Sequence, residues 1–87
     1  MKMKYRRILK RLRKERDLSQ ADVARVLQCT QVAYGMYESG KRRLSIENLI
    51  KLANYYNTTT DYMLGLSNKR KRTYRQPNEI EEEEYYE

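Results

Sequence analysis

The chain has 87 residues, of which 39% are hydrophobic and 36% are charged, and its net charge is +7. Such a length allows one small domain with one core. The sequence shows no secretory signal and no apolar run of ~20 residues, so we expect a cytoplasmic protein with no membrane span. One cysteine and no histidine exclude an intramolecular disulfide and leave no set of metal ligands, so we expect neither metal nor cofactor.

Two helices are predicted in the first third of the chain. Apolar residues at helical spacing among many cations predict a first helix over Lys4–Glu15. Ser19 is a predicted N-cap, with Asp22 three residues later in the position of a capping box, so a second helix is expected over Gln20–Leu27. Ala24 lies where a small side chain lets the second helix pack closely on the third.

A tight turn at Gln28–Cys29 separates the second helix from the third. Thr30 is a good N-cap for a helix over Gln31–Glu38, and Gly40 can adopt the left-handed conformation that ends it. A basic loop, Lys41–Arg43, follows directly.

The next two helices are also predicted from their caps. Ser45 would cap a fourth helix that ends near Asn57, and a fifth is expected to start within Thr58–Asp61 and to reach Leu64 before Gly65. The predicted core side of the fourth helix repeats at i, i+3, i+4 and i+7 in Ile46, Leu49, Ile50 and Ala53.

Beyond Leu66 the apolar period stops and the charge becomes uneven. All nineteen Lys and Arg precede residue 76, whereas six of the twelve acids lie in Glu79–Glu87, so residues 1–78 carry nineteen cations against six acids, a net +13. A basic body of this kind predicts a polyanion partner. We expect residues 67–87 to form a mostly disordered tail, whose acidic end either competes with phosphates for the basic body or only aids solubility.

Four segments occur in the order and at the spacing of one known family: Leu18-Ser-Gln-Ala with Ala24, Tyr37-Glu-Ser-Gly-Lys-Arg42, Ile46-Glu-Asn-Leu-Ile-Lys-Leu-Ala53, and Thr60-Asp-Tyr-Met-Leu-Gly65. Together they resemble the Cro/repressor-type helix-turn-helix family, also called the XRE family, over residues 4–66.

The resemblance implies an all-α fold, a compact five-helix lambda-repressor-like DNA-binding domain over residues 1–66, followed by the flexible tail 67–87. The chain departs from the family at Gln28, where the family usually has a glycine at positive φ, and at Leu44, where it often has proline. Neither departure removes a group expected to touch DNA.

By the same resemblance, the third helix would contact bases. Gln31 is the best candidate for sequence readout, because its amide can pair with both N6 and N7 of adenine. Val32 would pack on a thymine methyl group, and Met36 and Ala33 would add apolar contacts. This face offers few hydrogen bonds, so DNA shape and water would carry part of the specificity.

Phosphate contacts and one structural ion pair follow from the family pattern as well. Arg13 and Glu38 would link the first helix to the third and orient the third on DNA. The cations on the outer face of the first helix either lie in solvent or contact flanking phosphates. The residues expected to contact phosphates are Gln20, Thr30, Tyr34, Lys41, Arg42 and Arg43, although a core position for Tyr34 is equally compatible with the sequence.

These features imply a transcriptional regulator that binds double-stranded DNA by sequence, most simply a repressor acting as a homodimer on an operator. The dimer surface would involve the fifth helix and the tail. One alternative is an antitoxin-type module that binds a protein and regulates its own operon, and another is a polyanion or membrane-surface binder driven by charge. No nucleophile, base or metal set suggests an enzyme. The expected dimer residues are Tyr62, Met63, Leu64 and Leu66.

Overall fold

The computed structural model describes residues 5–71, which form five α-helices joined by short connections. The all-α, five-helix architecture predicted from the sequence is confirmed, and predicted helix boundaries agree with the observed ones to within one or two residues. Between Tyr5 and Lys71 no helix is both long and apolar enough to cross a membrane. The helices are α1 Tyr5–Glu15, α2 Gln20–Leu27, α3 Gln31–Ser39, α4 Ile46–Tyr55 and α5 Thr60–Leu64.

Hydroxyl side chains cap the start of every helix after the first. At α2 the cap is reciprocal, because Ser19 Oγ accepts from the Asp22 backbone N–H at 3.0 Å while Asp22 accepts from the Ser19 N–H at 2.8 Å. These bonds satisfy N–H groups that a helix start leaves without partners, which is why the sequence alone located these boundaries. The four caps are Ser19, Thr30, Ser45 and Thr59.

The turn between α2 and α3 contains a strained residue. Gln28 has φ 58° and ψ 42°, the left-handed conformation expected for the position at which the family usually has glycine. A side chain in this conformation costs about 1–2 kcal/mol relative to the right-handed one. The Gln28 N–H donates to the carbonyl of Arg25, and the Cys29 N–H donates to that of Ala24 at 2.9 Å, so the turn keeps the hydrogen bonds that close α2.

One core joins all five helices. α3 packs against α1 and α2, α4 against α2 and α5, and α5 returns to α1. Ala24, 2% exposed, allows the close contact expected between α2 and α3. The largest fully buried side chains are Tyr34, Leu9, Leu12, Leu52, Met63, Val23 and Thr58.

The structure corrects half of the predicted inner side of α4 and one expected dimer residue. Leu49 and Ala53 are buried as predicted, whereas Ile46 is 77% exposed, Ile50 is 48% exposed, and Leu52 is fully buried. The buried stripe of the helix is therefore rotated toward Leu52, and Ile46 and Ile50 face outward. Met63 is fully buried, so it packs in the core and is not available to a second copy.

Residues 67–71 lie against the domain, five residues past the predicted boundary at Leu66. Lys71 forms an isolated antiparallel bridge with Thr58, whose hydroxyl donates to the Arg70 carbonyl. The Arg70 guanidinium pairs with Glu15 at the end of α1 and lies over the Tyr62 ring. The acidic run and the rest of the predicted tail lie outside the described residues.

Candidate nucleic-acid interface

The exposed side of α3 carries the residues predicted to contact bases. Gln31 is exposed in the first turn, and the side chain of Val32 is 69% exposed beside it. Met36, one turn later, is half-buried, as is Ala33, whose N–H donates to Thr30 Oγ1 at 3.0 Å. All four residues lie on α3, and Gln31 and Val32 are the more exposed pair.

The opposite side of α3 is fixed in the core by two tyrosines. Tyr34 and Tyr37 are buried, and their rings meet edge to face with centroids 6.3 Å apart. The Tyr34 hydroxyl donates to Glu38 Oε2 at 2.6 Å. Burial of the ring, together with this hydrogen bond, raises the pKa of the Tyr34 hydroxyl well above its ordinary value.

Tyr34 was a predicted phosphate contact, and its burial corrects that prediction. Its side chain has no exposed surface, and its hydroxyl proton is already donated to a carboxylate within the protein. Reaching a phosphate would require it to leave the core, where a large aromatic side chain contributes several kcal/mol when packed.

Arg13 and Glu38 form the predicted ion pair, and the carboxylate accepts two hydrogen bonds from one edge of the guanidinium. Arg13 Nε donates to Glu38 Oε2 at 2.7 Å, and Arg13 Nη2 donates to Oε1 at 3.0 Å. Arg13 Nη1 also donates to the Leu18 carbonyl at 2.9 Å, which joins the pair to the connection before α2. The side chains of both residues are nearly buried, so the pair holds three segments in one arrangement.

The charge states of this pair follow from its surroundings. Burial alone would raise the pKa of the Glu38 carboxyl, but hydrogen bonds from Arg13, Tyr34 and Gln20 outweigh it, so the pKa lies below its ordinary value. The hydrogen bond to Glu38 raises the pKa of Arg13. Glu38 is therefore a carboxylate at neutral pH, and it accepts hydrogen bonds from Arg13, Tyr34 and Gln20, which together with it form the Glu38 cluster.

Gln20 belongs to the same cluster. Its Nε2 donates to Glu38 Oε1 at 3.2 Å, and its Oε1 lies next to Gly35, where an added Cβ would approach it to 3.3 Å. The side chain of this predicted phosphate contact is thus turned toward α3, while its backbone remains at the first position of α2, where helix N–H groups can face an anion.

The basic loop follows α3 directly and is open to solvent. Lys41, Arg42 and Arg43 are all exposed, and the backbone N–H groups of Lys41 and Arg42 donate to the Met36 carbonyl. These two bonds continue the cap at Gly40, so the loop leaves α3 in a defined direction while its side chains are free to reach a phosphate.

Arg6, one of the cations of α1, contributes to this end of α3. Its Nη1 donates to the Ser39 carbonyl at 2.9 Å, so it does not lie free in solvent, and this contact was not predictable from the sequence. The guanidinium passes over Gly40, where an added Cβ would lie only 2.4 Å from Nη1. Gly40 also has φ 84°, so its conformation favours glycine, and a side chain there would displace the end of the Arg6 side chain. The only sequence signal was Gly40 itself, and it does not identify which side chain crosses it.

The described residues contain no candidate metal site. Between Tyr5 and Lys71, no group of three or more His, Cys, Asp and Glu is arranged to hold a metal ion.

Sequence comparison places this arrangement among known proteins. A family model described as helix-turn-helix matches residues 9–63. The HTH-type transcriptional regulator AnsR of Bacillus subtilis (strain 168) is 40% identical over 72 residues, which cover 83% of this chain and 61% of that protein. The uncharacterized HTH-type transcriptional regulator YqaE of the same organism is 38% identical over 63 residues, covering 71% and 54% respectively. The chain therefore spans only about half to three fifths of the length of these relatives.

Comparison with solved structures gives the same result as the sequence comparison. The crystal structure of a transcriptional regulator from Listeria innocua superposes with a TM-score of 0.72 at 25% sequence identity, and the match covers 99% of this chain and 86% of that one. The helix-turn-helix match spans α2, the turn and α3 together with most of the remaining core. The chain belongs to the helix-turn-helix family.

Proposed function

We propose that the protein is a non-enzymatic transcription regulator that binds double-stranded DNA by sequence and represses transcription by occupying an operator. The observation that carries this proposal is the position of α3, whose inner side is fixed in the core while Gln31 and Val32 face solvent in its first turn and an exposed basic loop follows its last turn. A helix presented in this way fits the major groove. The names of its relatives support regulation of transcription.

In the proposed complex, base contacts come from the exposed side of α3. Gln31 pairs with an adenine edge, Val32 contacts a thymine methyl, and Met36 and Ala33 close the apolar surface behind them. Only Gln31 offers a side-chain amide, so we expect DNA shape to account for part of the discrimination.

Phosphate contacts in the proposed complex flank this helix. Lys41, Arg42 and Arg43 supply positive charge on one side, and Thr30 and the first backbone N–H groups of α2 at Gln20 supply hydrogen bonds on the other. Tyr34 is left out of this set because it is buried.

We further propose that the protein binds its operator as a homodimer. A single domain of this size covers too little DNA for useful specificity, and a two-fold operator doubles the contacts. Leu64 and Leu66 are exposed near the end of the described chain, whereas Tyr62 is half-buried and accepts a hydrogen bond from Arg11. We therefore expect Leu64 and Leu66, rather than Met63, to contribute to the dimer.

Selection of bound sequences from a random pool of duplex DNA tests this proposal directly. We expect an enriched palindrome, bound about 1,000-fold more tightly than a scrambled duplex of the same length and composition, the lower end of the range for specific regulators. A complex of two chains per duplex would support the dimer. Binding that is indifferent to sequence would refute the regulator and favour a charge-driven polyanion binder.

A further inference from the structure

A groove runs along the surface between α1 and α3, next to the start of α2. We call it the α1–α3 groove, and it has a volume of about 320 Å³. Lys10 and Lys14 line it from α1, Gly35 and Ser39 line it from α3, and Gln20 lines it from α2. The Arg13–Glu38 pair also borders it, so the groove lies directly on the cluster that holds α3 in place.

The groove is positively charged at its α1 side. Lys10 and Lys14 are exposed and stand one turn apart, where like charges repel. The Glu38 carboxylate is the acid that lines the groove, and both of its oxygens already accept hydrogen bonds from Arg13. Among residues 5–71 the ion pairs engage Arg13, Arg25 and Arg70 and leave the two lysines available.

The α3 side of the groove coincides with the surface proposed to face DNA. An α-helix turns by about 100° per residue, so Gly35 and Ser39 project at about 40° and 80° from Gln31. Both directions fall between those of Gln31 and Val32, which are about 100° apart. The groove therefore opens along the same arc of α3 that carries these exposed side chains, and it does not open onto the opposite face of the domain.

We propose that Lys10 and Lys14 bind a phosphodiester group of the DNA strand that borders the major groove occupied by α3. This inference rests on the proposed function. Gly35 adds no side chain to the groove, and the Gln20 carboxamide takes the space beside it, so an incoming sugar–phosphate backbone would meet this amide next to the two lysines. The two ammonium groups then neutralise the phosphate, and the phosphate in turn relieves their mutual repulsion. The footprint extends beyond the helix-turn-helix to include α1.

The test replaces both lysines with glutamine, as Lys10→Gln with Lys14→Gln, in the full chain. The control pair, Lys51→Gln with Lys69→Gln, removes the same charge from exposed positions outside α1 and α3. Affinities for the selected operator and for its scrambled counterpart are measured over a series of salt concentrations. Melting temperatures confirm that each variant folds.

We expect the groove variant to reduce the magnitude of the slope of log K against log salt by about 1, because one neutralised phosphate contributes about 0.9. Its affinity should fall by a similar factor on both duplexes, since phosphates carry no sequence information. The control pair should change the slope by much less. A groove variant that matches the control pair would overturn the proposal.

Failure of the underlying function has a different signature. If the wild-type chain binds both duplexes equally, sequence-specific regulation is refuted, yet the slopes still decide whether the lysines contact phosphate. If the wild-type chain binds neither duplex, both the function and the groove proposal are overturned.

Discussion

The two sides of α3 are built in opposite ways. The inner side carries Tyr34, Tyr37 and Glu38, whose contacts reach α1 and the connection before α2 through Arg13. The outer side carries Gln31 and a set of small or apolar residues that stand in solvent or are half-buried. Hydrogen bonds are thus concentrated where the helix is held, and few are offered where it would meet DNA.

This difference indicates that one set of residues holds α3 in position and another set would recognise DNA. A change on the inner side moves the whole helix, so it should alter stability and every DNA contact together. A change on the outer side leaves the fold intact and should affect only the contact that was removed. Four substitutions or conditions can break or sharpen this distinction.

Arg13→Ala should have the largest effect. It leaves the Glu38 carboxylate nearly buried without its cation, and breaking such a pair from one side costs about 3 kcal/mol. Chemical denaturation should show this loss, together with weaker binding to specific and scrambled DNA. Arg25→Ala is the matched control, because it breaks an exposed pair with Asp22 that contributes less than about 1 kcal/mol. If Arg13→Ala weakens DNA binding without changing stability, the pair does not hold the helix.

Gly40→Ala should have the next largest effect. A side chain at φ 84° costs about 1–2 kcal/mol, and the new Cβ would also push Arg6 away from the Ser39 carbonyl. Because the basic loop begins at the next residue, we expect weaker phosphate contact as well as lower stability. Gly65→Ala imposes a comparable backbone cost, at φ 80°, at the end of α5, and it is the control for the loss of stability alone. A DNA affinity of Gly40→Ala equal to that of the wild type would show that Arg6 does not position the loop.

Gln31→Ala tests the outer side alone. Its side chain is exposed, so the free energy of unfolding should stay within about 0.5 kcal/mol of the wild type. Loss of a bidentate contact to adenine should reduce the preference for the operator by about 10-fold, or ~1.4 kcal/mol. Binding to a scrambled duplex serves as the internal control and should not change. An equal loss on both duplexes would mean that Gln31 contributes to general affinity rather than to readout.

The helices and their ends could be predicted from the sequence because local chemistry specifies them. Ser19 and Thr30 accept hydrogen bonds from residues three positions later, and Gly40 and Asn57 adopt the left-handed conformations expected of them. The contact between Arg13 and Glu38 followed from the family pattern, and the structure has it. Each of these features depends on residues close in sequence or on a known spacing.

What could not be predicted depends on packing between distant segments. In α4, the buried Leu49 and Ala53 can share a helical stripe either with Ile46 and Ile50 or with Leu52, and only contact with α2 and α5 decides which of these is buried. The bond from Arg6 to the Ser39 carbonyl joins residues 33 positions apart. The position of Tyr34 was open for the same reason, because a tyrosine on a helix suits either a core or a phosphate.

The smallest effect that separates the two sides of α3 is a pH dependence confined to the inner side. Burial raises the pKa of Glu38 while hydrogen bonds from Arg13, Tyr34 and Gln20 lower it, so the net lowering is a balance of opposing effects. The carboxylate therefore stabilises the fold above its ordinary pKa of about 4.3, and this contribution is lost as the pH falls through the lower pKa of the folded state. Between about pH 5 and 3, the wild type should lose unfolding free energy faster than Glu38→Gln, which has no carboxylate to protonate at this position. Denaturation across this range measures the slope of unfolding free energy against pH for each protein. The carboxylates of Glu15 and Asp22 are present in both proteins, so their contributions to the two slopes are the same. Identical slopes would show that Glu38 does not gain stability from its ionised form, and the inner side would then be held by the tyrosines alone.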